Sequence, residues 1–143
     1  VIGKTIDEMS LGDQAKMQKT ISETDIYLYA GITGDFNPAH INEEYAKKTF
    51  FKQRIAHGML TAGLISAVLA NQLPGPGTVY IRQEIDFRAP VYLGDTIEAR
   101  VVVEEILKAK NRVKFKTTCT KQDQTVVLSG TAIVSPPKSL KEA

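Results

Sequence analysis

A chain of 143 residues is one domain's length, and with 43% apolar and 24% charged residues it has the balance of an ordinary globular protein. A core of that size needs no metal or disulfide staple, and the one cysteine, Cys119, suits a reducing, cytoplasmic setting. The net charge of +2, carried by scattered lysines, argues against nucleic acid, and the interrupted apolar stretch Met59 to Leu69 is too short to span a bilayer.

The elements follow in chain order. A first strand is predicted around Ala15 to Ile21. Ser22 caps a helix through Asp25-Ile26-Tyr27-Leu28-Tyr29-Ala30, with Glu23 and Asp25 at the positive end of its dipole and Gly34 ending it. Asn42 caps a short helical turn, Glu43 to Lys48, and a loop runs from Phe50 to Ala56. The main helix, His57 to Leu73, is apolar on nearly all sides and therefore reads as buried; Pro74-Gly75-Pro76-Gly77 stops it.

The second half alternates with period two. Val79, Ile81, Ile85 and Phe87 share one face of a strand; Ile97, Ala99, Val101 and Val103 share that of the next; Val113, Phe115, Thr117 and Cys119 share a third. Thr125 to Val134 forms the last strand, and Pro136-Pro137-Lys138-Ser139 is expected to fray. Turns at Leu93-Gly94-Asp95, Lys108 to Asn111 and Gln122-Asp123 predict antiparallel hairpins between neighbours. The economical packing is α+β: an antiparallel sheet curled around the long helix, in a single domain over residues 1–143. Its edge strands need covering, so a homodimer or higher homo-oligomer is expected.

Asp35 and His40 lie five positions apart with Pro38 between them, and Asn37-Pro38 disfavours helix at Asn37. A turn there can aim both side chains at one small molecule, although these residue types are also ordinary turn chemistry. Gly58 opens the buried helix, where unpaired N–H groups and the positive dipole end converge, and its missing side chain admits a substrate carbonyl. Such a donor stabilises an enolate-like oxyanion by about 3–4 kcal/mol. His57 beside it reads as a cap filler. Ser66, further along the helix, needs a hydrogen-bond partner, either its own backbone or Asp35.

Three segments carry a resemblance: Asp35-Phe-Asn-Pro-Ala-His40, Ile55-Ala-His-Gly-Met-Leu60 and Phe87-Arg-Ala-Pro-Val-Tyr-Leu-Gly-Asp95. In that order, over roughly Gly12 to Val134, the chain resembles the MaoC-like (R)-specific enoyl-CoA hydratases. The resemblance implies a hot-dog fold, a dimer, and reversible hydration of a trans-2-enoyl-CoA to the (R)-3-hydroxyacyl-CoA by an activated water. It implies Asp35 and His40 as the catalytic pair, Gly58 as the backbone N–H donor to the thioester carbonyl, and Ser66, with Asn37, in support. Leu69 and Val134 correspond to positions lining the acyl pocket. The substrate that the resemblance implies is a coenzyme A thioester; no separate cofactor is implied, and no metal, since two histidines and one cysteine so spread offer poor zinc spacing.

Two other readings share the fold. A 3-hydroxyacyl-acyl-carrier-protein dehydratase runs the same chemistry in reverse with the same residues; Arg54, Lys47, Lys48, Lys52 and Arg82 would serve phosphates or simply be solvated. A non-catalytic acyl-thioester-binding module would have lost the chemistry, which the intact Asp35, His40, Gly58 and Ser66 argue against. A hot-dog thioesterase needs a carboxylate on the central helix, and Gly58 to Gln72 holds none.

Overall fold

Alternation in the second half sorts side chains between two faces of a five-stranded antiparallel sheet. The structure, a computed structural model, describes residues 1–139. Its elements are β1 (Gln14–Thr20), α1 (Glu23–Thr33), α2 (Pro38–Ile41), α3 (Glu43–Ala46), α4 (Gly58–Asn71), β2 (Val79–Phe87), β3 (Thr96–Leu107), β4 (Arg112–Thr120) and β5 (Val126–Ser135). The spatial order is β1-β3-β4-β5-β2. Ile97, Ala99, Val101 and Val103 are buried on one face of β3, and Val113, Phe115, Thr117 and Cys119 on the same face of β4.

Helix α4 lies on that buried face, touching β1, β2, β3 and β4. Leu64, Ile65, Val68 and Leu69 insert there and are buried, each contributing about 1.5–3 kcal/mol by removing its side chain from water. The antiparallel sheet against one central helix matches the expected α+β, hot-dog architecture. The helix is not enclosed on every side, however: Met59, Gly63 and Ala70 form an exposed stripe. Apolar composition alone does not distinguish a helix buried all round from one with small residues on its outer face.

Three further expectations change. First, β2 does not pair with β3; it crosses to the far edge and pairs with β5, from Phe87↔Leu128 to Val79↔Ser135. The segment between β2 and β3 is too long for a tight hairpin and carries Pro90, and β3 already has β1 and β4 as neighbours. Second, the predicted apolar face of β2 is largely uncovered: Val79, Ile81 and Phe87 are exposed, and the register shifts between Tyr80 and Arg82. A bulge of that kind breaks the strict alternation. Third, Pro136 and Pro137 are buried rather than frayed, because Asn111 Nδ2 donates to the Pro136 carbonyl at 2.9 Å and Pro137 packs over Gly77.

Candidate active site

The loop leaving α1 is built by short-range caps. Ser22 caps the start of α1, accepting the Asp25 N–H at 3.1 Å. Gly34 ends the helix in the left-handed region at φ 81°, where a side chain would be strained. Asp35 Oδ1 then accepts the Asn37 N–H at 3.2 Å, and Asn37 Oδ1 accepts the Ala39 N–H at 3.0 Å. Asn37 is thereby the N-cap of α2, with Pro38 at its first position. His40 consequently sits in a one-turn helix rather than on the open turn expected; Pro38, without an N–H and with its fixed φ, begins a helix as readily as it blocks one.

His40 Nδ1 lies 2.7 Å from the Ile55 carbonyl. A carbonyl only accepts, so Nδ1 carries the hydrogen and Nε2 is the atom at which a proton comes and goes. Ile55 is held in turn by its neighbour Arg54, which donates to Glu43 Oε2 and Glu23 Oε1, each at 2.9 Å, and to the Tyr27 hydroxyl at 3.0 Å. Arg54 is therefore a structural clamp between α1, α3 and the loop before α4, not a free cation for phosphate. Lys47 and Arg82 are likewise paired, with Glu44 and Glu84.

His57 is the residue that sequence reasoning passed over. It is only 2% exposed, its Nε2 meets the Asp35 backbone carbonyl at 3.0 Å, and its ring stacks on His40 with centroids 3.8 Å apart at 30°. Tyr29 packs on it at 4.7 Å. Burial, first, holds its pKa below the ordinary 6.5, with the nearby His40 acting in the same direction; the bond to the Asp35 carbonyl and the Asp35 charge oppose. A neutral His57 therefore braces the turn carrying Asp35 and one face of His40. Its only sequence signal is its place next to Gly58.

Gly58 starts α4. Its N–H and that of Met59 make no intrahelical bond, whereas the Leu60 N–H reaches back to the His57 carbonyl at 3.1 Å. The ring of Phe87 crosses Gly58 so closely that an added Cβ would fall 2.8 and 2.9 Å from two of its carbons. Asp35, His40, His57, Gly58, Thr61 and Phe87 all line one cavity of ≈ 540 Å³, with Arg88 as its only lysine or arginine among the described residues. The remaining walls include Phe51, Ile55, Val91, Val127 and Leu128. They are apolar, which suits an acyl chain.

Other predicted site residues fall elsewhere. Ser66 is half-buried, does not line this cavity and forms no hydrogen bond with Asp35, whose carboxylate is turned instead onto the Asn37 N–H. Leu69 and Val134 are fully buried on the facing sides of α4 and the sheet and also do not line it. Cys119 is buried too; burial pushes its thiol up to about 12, so it is no nucleophile at neutral pH.

Asp35, His40 and His57 each place one ligand-type atom within 4.8 Å of the others. The two imidazoles are stacked, however, so their in-plane lone pairs run side by side instead of converging, and one nitrogen of each faces a backbone carbonyl. That arrangement suits proton transfer better than metal coordination.

Residues 8–126 match the model of the MaoC like domain. The chain is 53% identical to an (R)-specific enoyl-CoA hydratase of Rhodospirillum rubrum, covering 92% of this chain and 90% of that protein. It is 48% identical to a 3-hydroxybutyryl-CoA dehydratase of Methylorubrum extorquens, over 92% and 83% of the two. Among solved structures, the R-hydratase PhaJ1 of Pseudomonas aeruginosa superposes with a TM-score of 0.92 at 42% identity, over 97% of this chain and 89% of that one.

Proposed function

The chain belongs to the MaoC-like domain family, and from that premise we propose that it catalyses the reversible, (R)-specific hydration of a trans-2-enoyl-CoA to the 3-hydroxyacyl-CoA. The observation that carries this reading is the meeting of Asp35, His40 and the unpaired Gly58 N–H at one apolar cavity.

Hydration adds water oxygen to C3 and a proton to C2, and negative charge gathers on the thioester oxygen in between. The Gly58 N–H, at the positive end of α4, donates to that oxygen in this reading. Asp35 takes a proton from the water as its oxygen bonds to C3. His40 delivers a proton to C2 from Nε2, while Nδ1 stays on the Ile55 carbonyl. The proton gained by Asp35 then returns to His40, which restores both groups. No covalent enzyme intermediate is required. Arg88, which lines the cavity while donating to Ser129 Oγ and lying 3.8 Å from Asp86, is the cation at the cavity wall that would meet the phosphates of coenzyme A.

The uncovered apolar residues of edge strand β2 support a second copy packing there, the homodimer expected from the architecture. No helix among the described residues is long and apolar enough to cross a membrane.

The test is loss of enoyl absorbance when crotonyl-CoA is mixed with protein. Asp35→Asn and His40→Gln should each reduce the rate by at least about 100-fold, the usual scale for an acid or base, with unchanged thermal unfolding. Either variant keeping most of the wild-type rate would falsify the assignment, and an (S)-3-hydroxy product would contradict the stereochemistry.

A further inference from the structure

Thr61 is 2% exposed, lines the cavity, and its Oγ1 is buried with no hydrogen-bond partner. Buried hydroxyls are nearly always paired, and an orphan among them is destabilising, so its retention asks for a reason. The usual local partner for a helical threonine is the carbonyl four residues back. Here that carbonyl, of His57, is occupied by the Leu60 and Thr61 N–H groups, and the hydroxyl does not join them.

Position supplies the reason. Cα–Cβ bonds in a helix tilt toward its N-terminus, so a side chain covers the turn before its own Cα. For Thr61 that turn is His57-Gly58, three and four residues back along the first turn of α4. Gly58 contributes no side chain between that hydroxyl and the cavity. On the other flank, the Thr61 carbonyl is approached by the Cys119 thiol at 3.9 Å, which ties the backbone of this turn to β4.

We propose that Thr61 is a catalytic residue whose hydroxyl donates to the same thioester carbonyl oxygen as the Gly58 N–H. In the free protein the hydroxyl is unpaired but closed to solvent, so it reaches the substrate carbonyl by turning about its Cα–Cβ bond toward the Gly58 turn. Once turned and held in the closed pocket, such a donor is worth most when the oxygen becomes an oxyanion, because nothing further has to reorient at that moment. The proposal rests on the hydratase reading. Its competitor is internal: His57 Nδ1 is also buried without a partner, and four positions separate it from Thr61. A hydroxyl serving only to satisfy that nitrogen would be structural.

The variants Thr61→Val and Thr61→Ser separate these roles. With crotonyl-CoA, Thr61→Val should lower kcat by about 100-fold, the scale for one oxyanion donor, with KM changed less than about threefold. Its Tm should be unchanged or higher, and Thr61→Ser should restore most of the rate. The carbonyl stretch of bound butyryl-CoA, which has no double bond to hydrate, should move to lower frequency in the wild type and less so in Thr61→Val. A wild-type rate in Thr61→Val, an equal carbonyl shift in both proteins, or a lowered Tm with an unaltered carbonyl shift would each overturn the proposal. Failure of the wild type itself to hydrate crotonyl-CoA would instead sink the hydratase reading, while the infrared comparison would still decide whether Thr61 meets the carbonyl.

Discussion

The imidazole of His57 lies stacked on that of His40, ring centroids 3.8 Å apart, and its far nitrogen holds the backbone carbonyl of Asp35. One buried side chain thus sets the position of both proposed proton-transfer groups. His57→Phe keeps an aromatic ring in the stack and removes the hydrogen bond to Asp35. It should lower kcat about 10-fold or more, since misplacement of a reacting group by an ångström is that damaging. Steady-state kinetics with crotonyl-CoA would check this, and a wild-type kcat would show that the bond to Asp35 does not matter.

Acidification should destabilise the fold through the same residue. The folded-state pKa of His57 is depressed below 6.5 by burial, so the unfolded chain binds its proton first as pH falls. Its contribution to stability is full above about pH 6.5 and is lost as pH drops through the folded value. Asp25 and Asp95 are also held below the ordinary 3.8, by hydrogen bonds and lysine partners acting against burial, and their contributions are lost only at lower pH. Thermal unfolding from pH 7.5 to 5 should therefore show a falling Tm in the wild type and a flatter profile in His57→Gln. Equal slopes would exclude His57 as the source.

Gly58 should tolerate no side chain while Phe87 crosses it. Gly58→Ala places a methyl 2.8 Å from the ring of Phe87, which is 55% exposed and has room to shift, so the loss should lie at the lower end of the about 1–3 kcal/mol typical of overpacking. Phe87→Ala in the Gly58→Ala background should recover part of that loss, because the obstructing ring is gone. A double-mutant cycle on Tm measures the coupling; strictly additive effects would mean that the ring moves aside freely.

Arg54 should matter through Ile55 rather than through substrate. Its side chain is 12% exposed and spans Glu23 and Glu43, each about half-exposed. Arg54→Met should lower stability by roughly 1–2 kcal/mol, the upper scale for partly exposed pairs in a network. Its hydration rate should also fall, because the loop presenting the Ile55 carbonyl to His40 loosens. Added salt should weaken wild-type stability but not that of the variant.

Arg88 carries the opposite expectation. Removing its charge in Arg88→Gln should raise KM for crotonyl-CoA several-fold at low salt and leave kcat nearly unchanged, the pattern for a group that binds substrate and transition state equally. A fall in kcat at constant KM would place Arg88 nearer the reacting atoms.

Local chemistry alone made much of this protein legible. Ser22, Asn42 and Gly34 announce helix ends because their side chains, or the lack of one, act within four residues. The faces of β3 and β4 follow from period-two alternation, since each strand is covered on one side only. Asp35, His40 and Gly58 stood out because their residue types and order carry chemistry. Tertiary structure decided what depends on distant partners. It sent β2 to the far edge beside β5, placed Leu69 and Val134 in the core, and turned Asp35 away from Ser66 onto its own loop. It also brought His57 against His40 and left the hydroxyl of Thr61 buried without a partner. Stacking, desolvation and an unpaired hydroxyl are properties of the space between elements, and no window of neighbouring residues encodes that space.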